Sequence, residues 1–140
     1  MLDNLLEDLK RDEGWRPNAY QDSLGLWTIG YGFLVDQRRQ GAGLPPEIAD
    51  TWLLHIVERN QRALSTALTY YDTLPEPVQR ALSNMCYQLG LGGLLGFRNT
   101  LRLIQEGRYA EAADEALNSR WAQQTPSRAK RVTDLIRSAA

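Results

Sequence analysis

Arg11-Asp12-Glu13-Gly14-Trp15-Arg16-Pro17-Asn18-Ala19-Tyr20-Gln21-Asp22-Ser23-Leu24-Gly25-Leu26-Trp27-Thr28-Ile29-Gly30-Tyr31-Gly32 is the stretch on which the fold turns. Just before it, Leu2, Leu5, Leu6 and Leu9 recur at helical spacing among acids, and Gly14 stops the pattern. From Pro17 to Leu34 the texture changes. Tyr20, Leu26, Trp27, Thr28, Ile29, Tyr31 and Phe33 are strand formers, interrupted by Gly25, Gly30 and Gly32. The spacing predicts a helix over 2–12, then a small twisted antiparallel sheet with a tight turn near Ser23–Gly25. Glycines inside a strand pattern mark bulges or places where a ligand approaches the backbone.

Outward from this segment the chain becomes helical. Gln40-Gly-Ala-Gly43 reads as a loop. A long helical pattern follows Pro45-Pro46 to about Tyr70, with Ile48, Trp52, Leu53, Ile56, Leu64 and Leu68 on one side. Pro75 and Pro77 open a further helix with Val78, Leu82, Met85, Cys86 and Leu89 inward, and Gly90 is placed to end it. Gly90–Gly93 and Gly96 read as a flexible connection. Helices are expected over 97–106, 109–118 and 126–137, the last opened by Thr125 as cap and Pro126 at the first helical position. The predicted class is α+β: a small N-terminal antiparallel sheet and a C-terminal helical bundle, with a cleft between them, in one domain spanning 1–140.

Composition narrows the function classes. The 140 residues carry 16 Lys plus Arg against 17 Asp plus Glu, a net charge of −1, which disfavours a dedicated nucleic-acid binder. The charge is nevertheless divided: residues 1–70 are net acidic and residues 71–140 net basic, ending in Arg120, Arg128, Lys130, Arg131 and Arg137. Such an end suits an anionic wall or, more simply, a solvated helix face. One cysteine excludes an internal disulfide, and one Cys with one His falls short of a zinc site. Cys86 reads as a small buried apolar residue, and His55 as structural rather than a ligand. No run of 18 apolar residues predicts a membrane span, and the first ten residues lack a signal-peptide pattern. A cytoplasmic start is therefore expected.

The residues with chemical potential are Glu13 at a helix end, Asp22 in a turn and Thr28 on the following strand. Eight residues separate the two acids and five separate Asp22 from Thr28. A helix end and a hairpin can present two carboxyls to one substrate, as glycoside hydrolysis requires. One carboxyl must donate a proton to the leaving oxygen; burial against Trp or Leu would keep it protonated. The other must be ionised, and a nearby hydroxyl helps it hold water. By spacing alone, Asp22 is equally an ordinary turn residue and Glu13 a helix-end charge.

Three ordered blocks are more specific. The opening stretch, Ala81-Leu-Ser-Asn-Met-Cys-Tyr-Gln-Leu-Gly90 with Gly96-Phe-Arg-Asn-Thr-Leu, and Ser119-Arg-Trp-Ala-Gln-Gln-Thr-Pro-Ser-Arg-Ala-Lys-Arg131 together resemble the phage-type lysozymes, or endolysins. The resemblance covers roughly 1–34 and 78–132. It implies a lysozyme-like fold in which Glu13 is the general acid and Asp22 and Thr28 hold the attacking water. Arg128 would pair with Glu13 and support it; Leu34, Tyr87, Thr100 and Glu115 would contact substrate, and Trp121 would pack beneath the site. Two positions depart from the pattern: Phe33 stands where a His is expected, and Glu115 where an amide is expected.

The resemblance further implies a muramidase cleaving the β-1,4 bond between N-acetylmuramic acid and N-acetylglucosamine of bacterial peptidoglycan, with inversion at the anomeric carbon. No metal or organic cofactor is implied. A monomer is expected, acting on peptidoglycan as a catalytic domain alone, without nucleic acid and without stable membrane insertion. Its place would be the host bacterial cytoplasm until release to the periplasm and wall. A lytic transglycosylase on the same fold, which needs one acid and no water-holding pair, is the near alternative. A non-catalytic wall-binding or nucleic-acid-binding module using the Arg-rich end is the distant one.

Overall fold

The computed structural model describes residues 1–35 and 43–140 and is α+β, as the residue pattern predicts. Its order is α1 (Leu2–Glu13), β1 (Arg16–Gln21), β2 (Trp27–Gly30), β3 (Phe33–Leu34), α2 (Pro46–Ala67), α3 (Glu76–Leu95), α4 (Arg98–Gln105), α5 (Tyr109–Leu117), α6 (Arg120–Gln124) and α7 (Pro126–Arg137). By compactness it divides into two units, Met1–Trp52 and Leu53–Ala140.

In the first unit, α1 ends where the N–H of Gly14 bonds the Lys10 carbonyl at 3.0 Å. The three strands form an antiparallel meander in sequence order. Tyr20 pairs with Thr28 and Gln21 with Trp27, and the β1–β2 register shifts between Arg16 and Tyr20. Thr28 in turn pairs with Leu34, and Ile29 with Phe33. The Arg16 guanidinium lies 4.4 Å from the Tyr20 ring centroid, a cation–π contact across the irregular stretch. Little of this unit is apolar interior. Among its described residues only Thr28 and Gly30 are buried, while Leu2, Leu6 and Leu9 of α1, three leucines of the stripe read from the spacing, are exposed.

The second unit holds the hydrophobic core. Leu64, Val78, Leu82, Met85, Leu94, Ile104, Val132 and Ile136 are its buried centre. The small Ala112, Ala113 and Ala116 are also fully buried, which lets α5 pack closely on α7 and α4. The inward face predicted for α3 holds: Val78, Leu82, Met85 and Cys86 are buried and Leu89 partly so. Burial also pushes the Cys86 thiol above its ordinary value of 9.0.

Several boundaries differ from the sequence reading, each for a local reason. The long helix stops at Ala67, and a 3₁₀ turn follows at Tyr71–Thr73. Of the face predicted for that helix, Leu64 is buried but Ile48, Trp52 and Leu53 are exposed. His55 is exposed as well. Gly90 does break the helix, at φ 75°, but the residues after it are no loose connection: a further helical turn runs to Leu95. A short helix at Arg120–Gln124 was not expected; Ser119 caps it by accepting from the Ala122 N–H at 3.1 Å. Thr125 precedes Pro126 as predicted, yet its hydroxyl does not cap α7; it donates back to the Trp121 carbonyl at 3.0 Å. Of the predicted 40–43 loop, all but Gly43 lies outside the described residues.

Candidate active site

The catalytic trio suggested by spacing falls wholly within the first unit. Glu13 is the last residue of α1 and is exposed. The apolar burial expected around this acid is therefore not what holds it. Its carboxylate lies over Gly32: a Cβ on Gly32 would stand 2.6 Å from Glu13 Oε2 and 3.3 Å from Cδ, and Gly32 has φ +75°. The carboxylate thus occupies the space that any other residue at 32 would fill. Gly30 has a parallel cause, because its Cβ would meet the Phe33 ring at 2.7 Å. Two of the three interruptions in the strand pattern, Gly30 and Gly32, make room for a ring and an acid of the chain itself.

Asp22 closes the β1–β2 turn. Its Oδ1 accepts from the N–H groups of Leu24 at 2.8 Å and Leu26 at 2.9 Å. Backbone bonds from Asp22 N to Leu26 O and from Gly25 N to Asp22 O complete the turn. This is the ordinary Asx-turn use of an aspartate, and it coexists with chemistry. One carboxylate oxygen is tied down, and Oδ2 receives no hydrogen bond from any described residue, so the side chain is rigid with an acceptor to spare. Thr28 is buried at 3% exposure. Its hydroxyl donates to the Leu26 carbonyl at 3.1 Å, which leaves its oxygen lone pairs as an acceptor. Asp22 and Thr28 are therefore locked through one residue, Leu26, whose N–H serves the first and whose carbonyl serves the second. Leu34 pairs with Thr28 across the β2–β3 ladder and is half-buried.

The other expected residues lie in the second unit and split between two hollows. Tyr87, with its ring partly open, and Arg128 border one of about 370 Å³, together with Leu53, Val57, Arg80 and Asn84. Thr100 and Glu115 border another of about 590 Å³, with Phe97, Arg98, Asn99 and Asn118. Thr100 is 2% exposed and Glu115 half-buried.

Within its unit, Arg128 is held by a residue the sequence reading overlooked. Its Nε donates to Asn84 Oδ1 at 3.0 Å and an η nitrogen donates to the Asn84 carbonyl at 3.4 Å. Asn84 sits inside the quoted Ala81–Gly90 block, but nothing in its spacing identifies a partner 44 residues away. Trp121 is core, as expected: it is 5% exposed, its indole N–H donates to Gln88 Oε1 at 2.9 Å, and Phe97 meets it edge-on with centroids 5.8 Å apart. Phe33, in place of a titrating side chain, is 58% exposed and lies edge-on to Tyr31, which tilts against Trp15. Among the described residues no group of three His, Cys, Asp or Glu is arranged to hold a metal ion, and no helix is long and apolar enough to cross a membrane.

Comparison with known proteins bears on this arrangement. The family model described as phage lysozyme matches residues 10–138. The chain is 30% identical over 161 aligned positions to "Probable T4-type lysozyme 2" of Dictyostelium discoideum, covering 97% of this chain and 95% of that protein. It is 31% identical to "Pre-baseplate central spike protein Gp5" of Enterobacteria phage T4, over 95% of this chain and 27% of that one. It is 33% identical to "Peptidoglycan hydrolase gp36" of Pseudomonas phage phiKMV, over 91% of this chain and 14% of that one.

Proposed function

Because the chain belongs to the phage lysozyme family, we propose that it is a lysozyme-type cell-wall hydrolase, a muramidase cleaving the β-1,4 bond between N-acetylmuramic acid and N-acetylglucosamine of peptidoglycan. Glu13 donates its proton to the glycosidic oxygen as the bond breaks. Asp22 and Thr28 hold a water through Oδ2 and Oγ1, and the Asp22 charge stabilises the oxocarbenium-like centre that water attacks. Attack by water rather than by a protein nucleophile inverts the anomeric carbon. Tyr87, Thr100, Glu115 and Leu34 contact the substrate, and Arg128, fixed by Asn84, is the supporting cation. The chemistry asks for no metal or organic cofactor. The enzyme works as a monomer, held in the host bacterial cytoplasm until it is released to the wall, where hydrolysis leads to lysis.

The observation that carries the assignment is the Leu26 linkage. A single turn residue binds Asp22 through its N–H and Thr28 through its carbonyl, so carboxylate and hydroxyl are fixed together with acceptor capacity left over. A transglycosylase has no use for such a pair. Product analysis separates the two: digestion of purified peptidoglycan should yield reducing N-acetylmuramic acid ends by mass spectrometry, whereas 1,6-anhydro ends would identify the transglycosylase.

A further inference from the structure

Tyr20 and Thr28 stand directly opposite each other on the β1–β2 ladder. Directly opposed residues project to the same face of a sheet, with β-carbons about 4.5–5.5 Å apart. On its other side Thr28 pairs with Leu34, so its side chain sits in a row between an aromatic ring and a leucine. Both neighbours are half-buried, and Thr28 itself is 3% exposed. The ring is held in its turn. Between Arg16, which pairs with Gly30, and Tyr20, β1 uses three residues where β2 uses only Ile29. Pro17, the first of the three, has no N–H to give to a ladder. Residues four apart on a regular strand are about 13 Å apart. The bulge re-aims Arg16, and its guanidinium lies 4.4 Å from the Tyr20 ring centroid. Its product is a ring pinned by a cation, one strand away from the Thr28 hydroxyl.

We propose that Tyr20 is a positioning residue for the attacking water, with Arg16 as its clasp. The proposal rests on the hydrolase reading above and deepens it. Asp22 and Thr28 offer acceptors to a water, and the Tyr20 ring is the wall that limits what can sit against the Thr28 oxygen. The wall needs the ring and not its hydroxyl. An alcohol brings the same nucleophilic oxygen with an alkyl group added, so it measures the wall. Were an alcohol admitted, its oxygen would bond to the anomeric carbon as the glycosidic bond breaks. Glu13 would protonate the leaving oxygen, and the alcohol's proton would pass to Asp22. The intact wall makes the site choose water.

The test gives the full chain purified peptidoglycan in water containing methanol. Mass spectrometry reads the new ends as reducing N-acetylmuramic acid or its methyl glycoside. The wild type should give reducing ends almost alone. Tyr20→Ala should lower kcat about tenfold or more, change KM by no more than about twofold, and raise the methyl glycoside share about fivefold or more. Tyr20→Phe should restore both kcat and the wild-type share. Arg16→Gln removes only an exposed clasp and should raise the share by about two- to fivefold, as loss of a cation–π contact would. Arg16→Lys should keep the wild-type share. A merely destabilised enzyme loses turnover without changing which nucleophile it admits. A wild-type share in Tyr20→Ala would overturn the proposal, and so would a Tyr20→Phe that behaves as Tyr20→Ala does. Should Tyr20→Ala fail to fold, an unchanged share in Arg16→Gln overturns it instead. Reducing ends from the wild type report separately on the hydrolase reading. If the wild type makes them and no variant alters the share, only the role of Tyr20 fails; 1,6-anhydro ends from the wild type would overturn both.

Discussion

Glu13 and Gly32 share one volume: the carboxylate Oε2 of the first lies 2.6 Å from where a β-carbon of the second would stand. The glycine is thus a seat for the acid as well as a turn residue at φ +75°. Gly32→Ala should push the carboxylate aside and strain the backbone by about 1–2 kcal/mol. A displacement near 1 Å in a reacting group costs on the order of 10²-fold in rate. The expected result is a large fall in kcat with far-UV circular dichroism preserved and only a modest loss of Tm. A fully active Gly32→Ala enzyme would show that the carboxylate does not need this seat.

The Asn84–Arg128 contact joins α3 to α7 through a charged donor at 3.0 Å. Asn84→Ala and Arg128→Ala should each destabilise the protein, and the double variant should cost less than their sum. Coupling on the order of 1 kcal/mol is expected for a partly exposed hydrogen bond to a charge. Urea denaturation of the four proteins measures it, and strict additivity would contradict the contact.

Stability should be concentrated in the second unit. Ile136 is fully buried in its core, whereas Leu6 is 45% exposed on α1. Ile136→Ala should cost about 2–5 kcal/mol, and Leu6→Ala should stay within roughly 0.5 kcal/mol of wild type. Chemical denaturation midpoints distinguish the two. Equal losses would show that the α1 stripe is buried in solution.

The alkaline limb of stability has identifiable sources. Burial pushes the Tyr70 and Tyr71 hydroxyls above 10.0 and the Cys86 thiol above 9.0. A raised folded-state value means that the folded protein keeps protons the unfolded chain has released. Stability is then complete below the unfolded values and falls as pH rises through the folded ones. The urea midpoint should be flat from pH 7 to about 8.5 and decline from about pH 9 upward. Cys86→Ala should remove the earliest part of that decline. A midpoint that rises over this range would contradict the assignment.

The sequence was most legible where one residue decides locally. Gly14, Gly25 and Gly90 marked real breaks, and the 3.6-residue period of Val78, Leu82, Met85 and Leu89 marked the true inner face of α3. It was least legible where the outcome depends on a distant partner. The leucines of α1 have helical spacing, but spacing does not say whether anything covers them. The Gly90–Gly96 segment looked loose because glycine is common there, yet Leu91, Leu94 and Leu95 pack on the core and keep it helical. The site divides in the same way. Asp22 and Thr28 follow from their own turn, whereas the hold of Asn84 on Arg128, and the hollow that Thr100 and Glu115 border together, arise only from tertiary packing.

The central claim is that Glu13 supplies the proton that breaks the glycosidic bond, and Glu13→Gln tests it most directly. The amide keeps the shape of the side chain and its place against Gly32 but has no proton to give. Clearance of permeabilised Gram-negative cells, read as loss of turbidity beside the wild type at matched Tm, should fall by a factor of about 10²–10⁴. Glu13→Gln clearing cells at the wild-type rate would contradict the account.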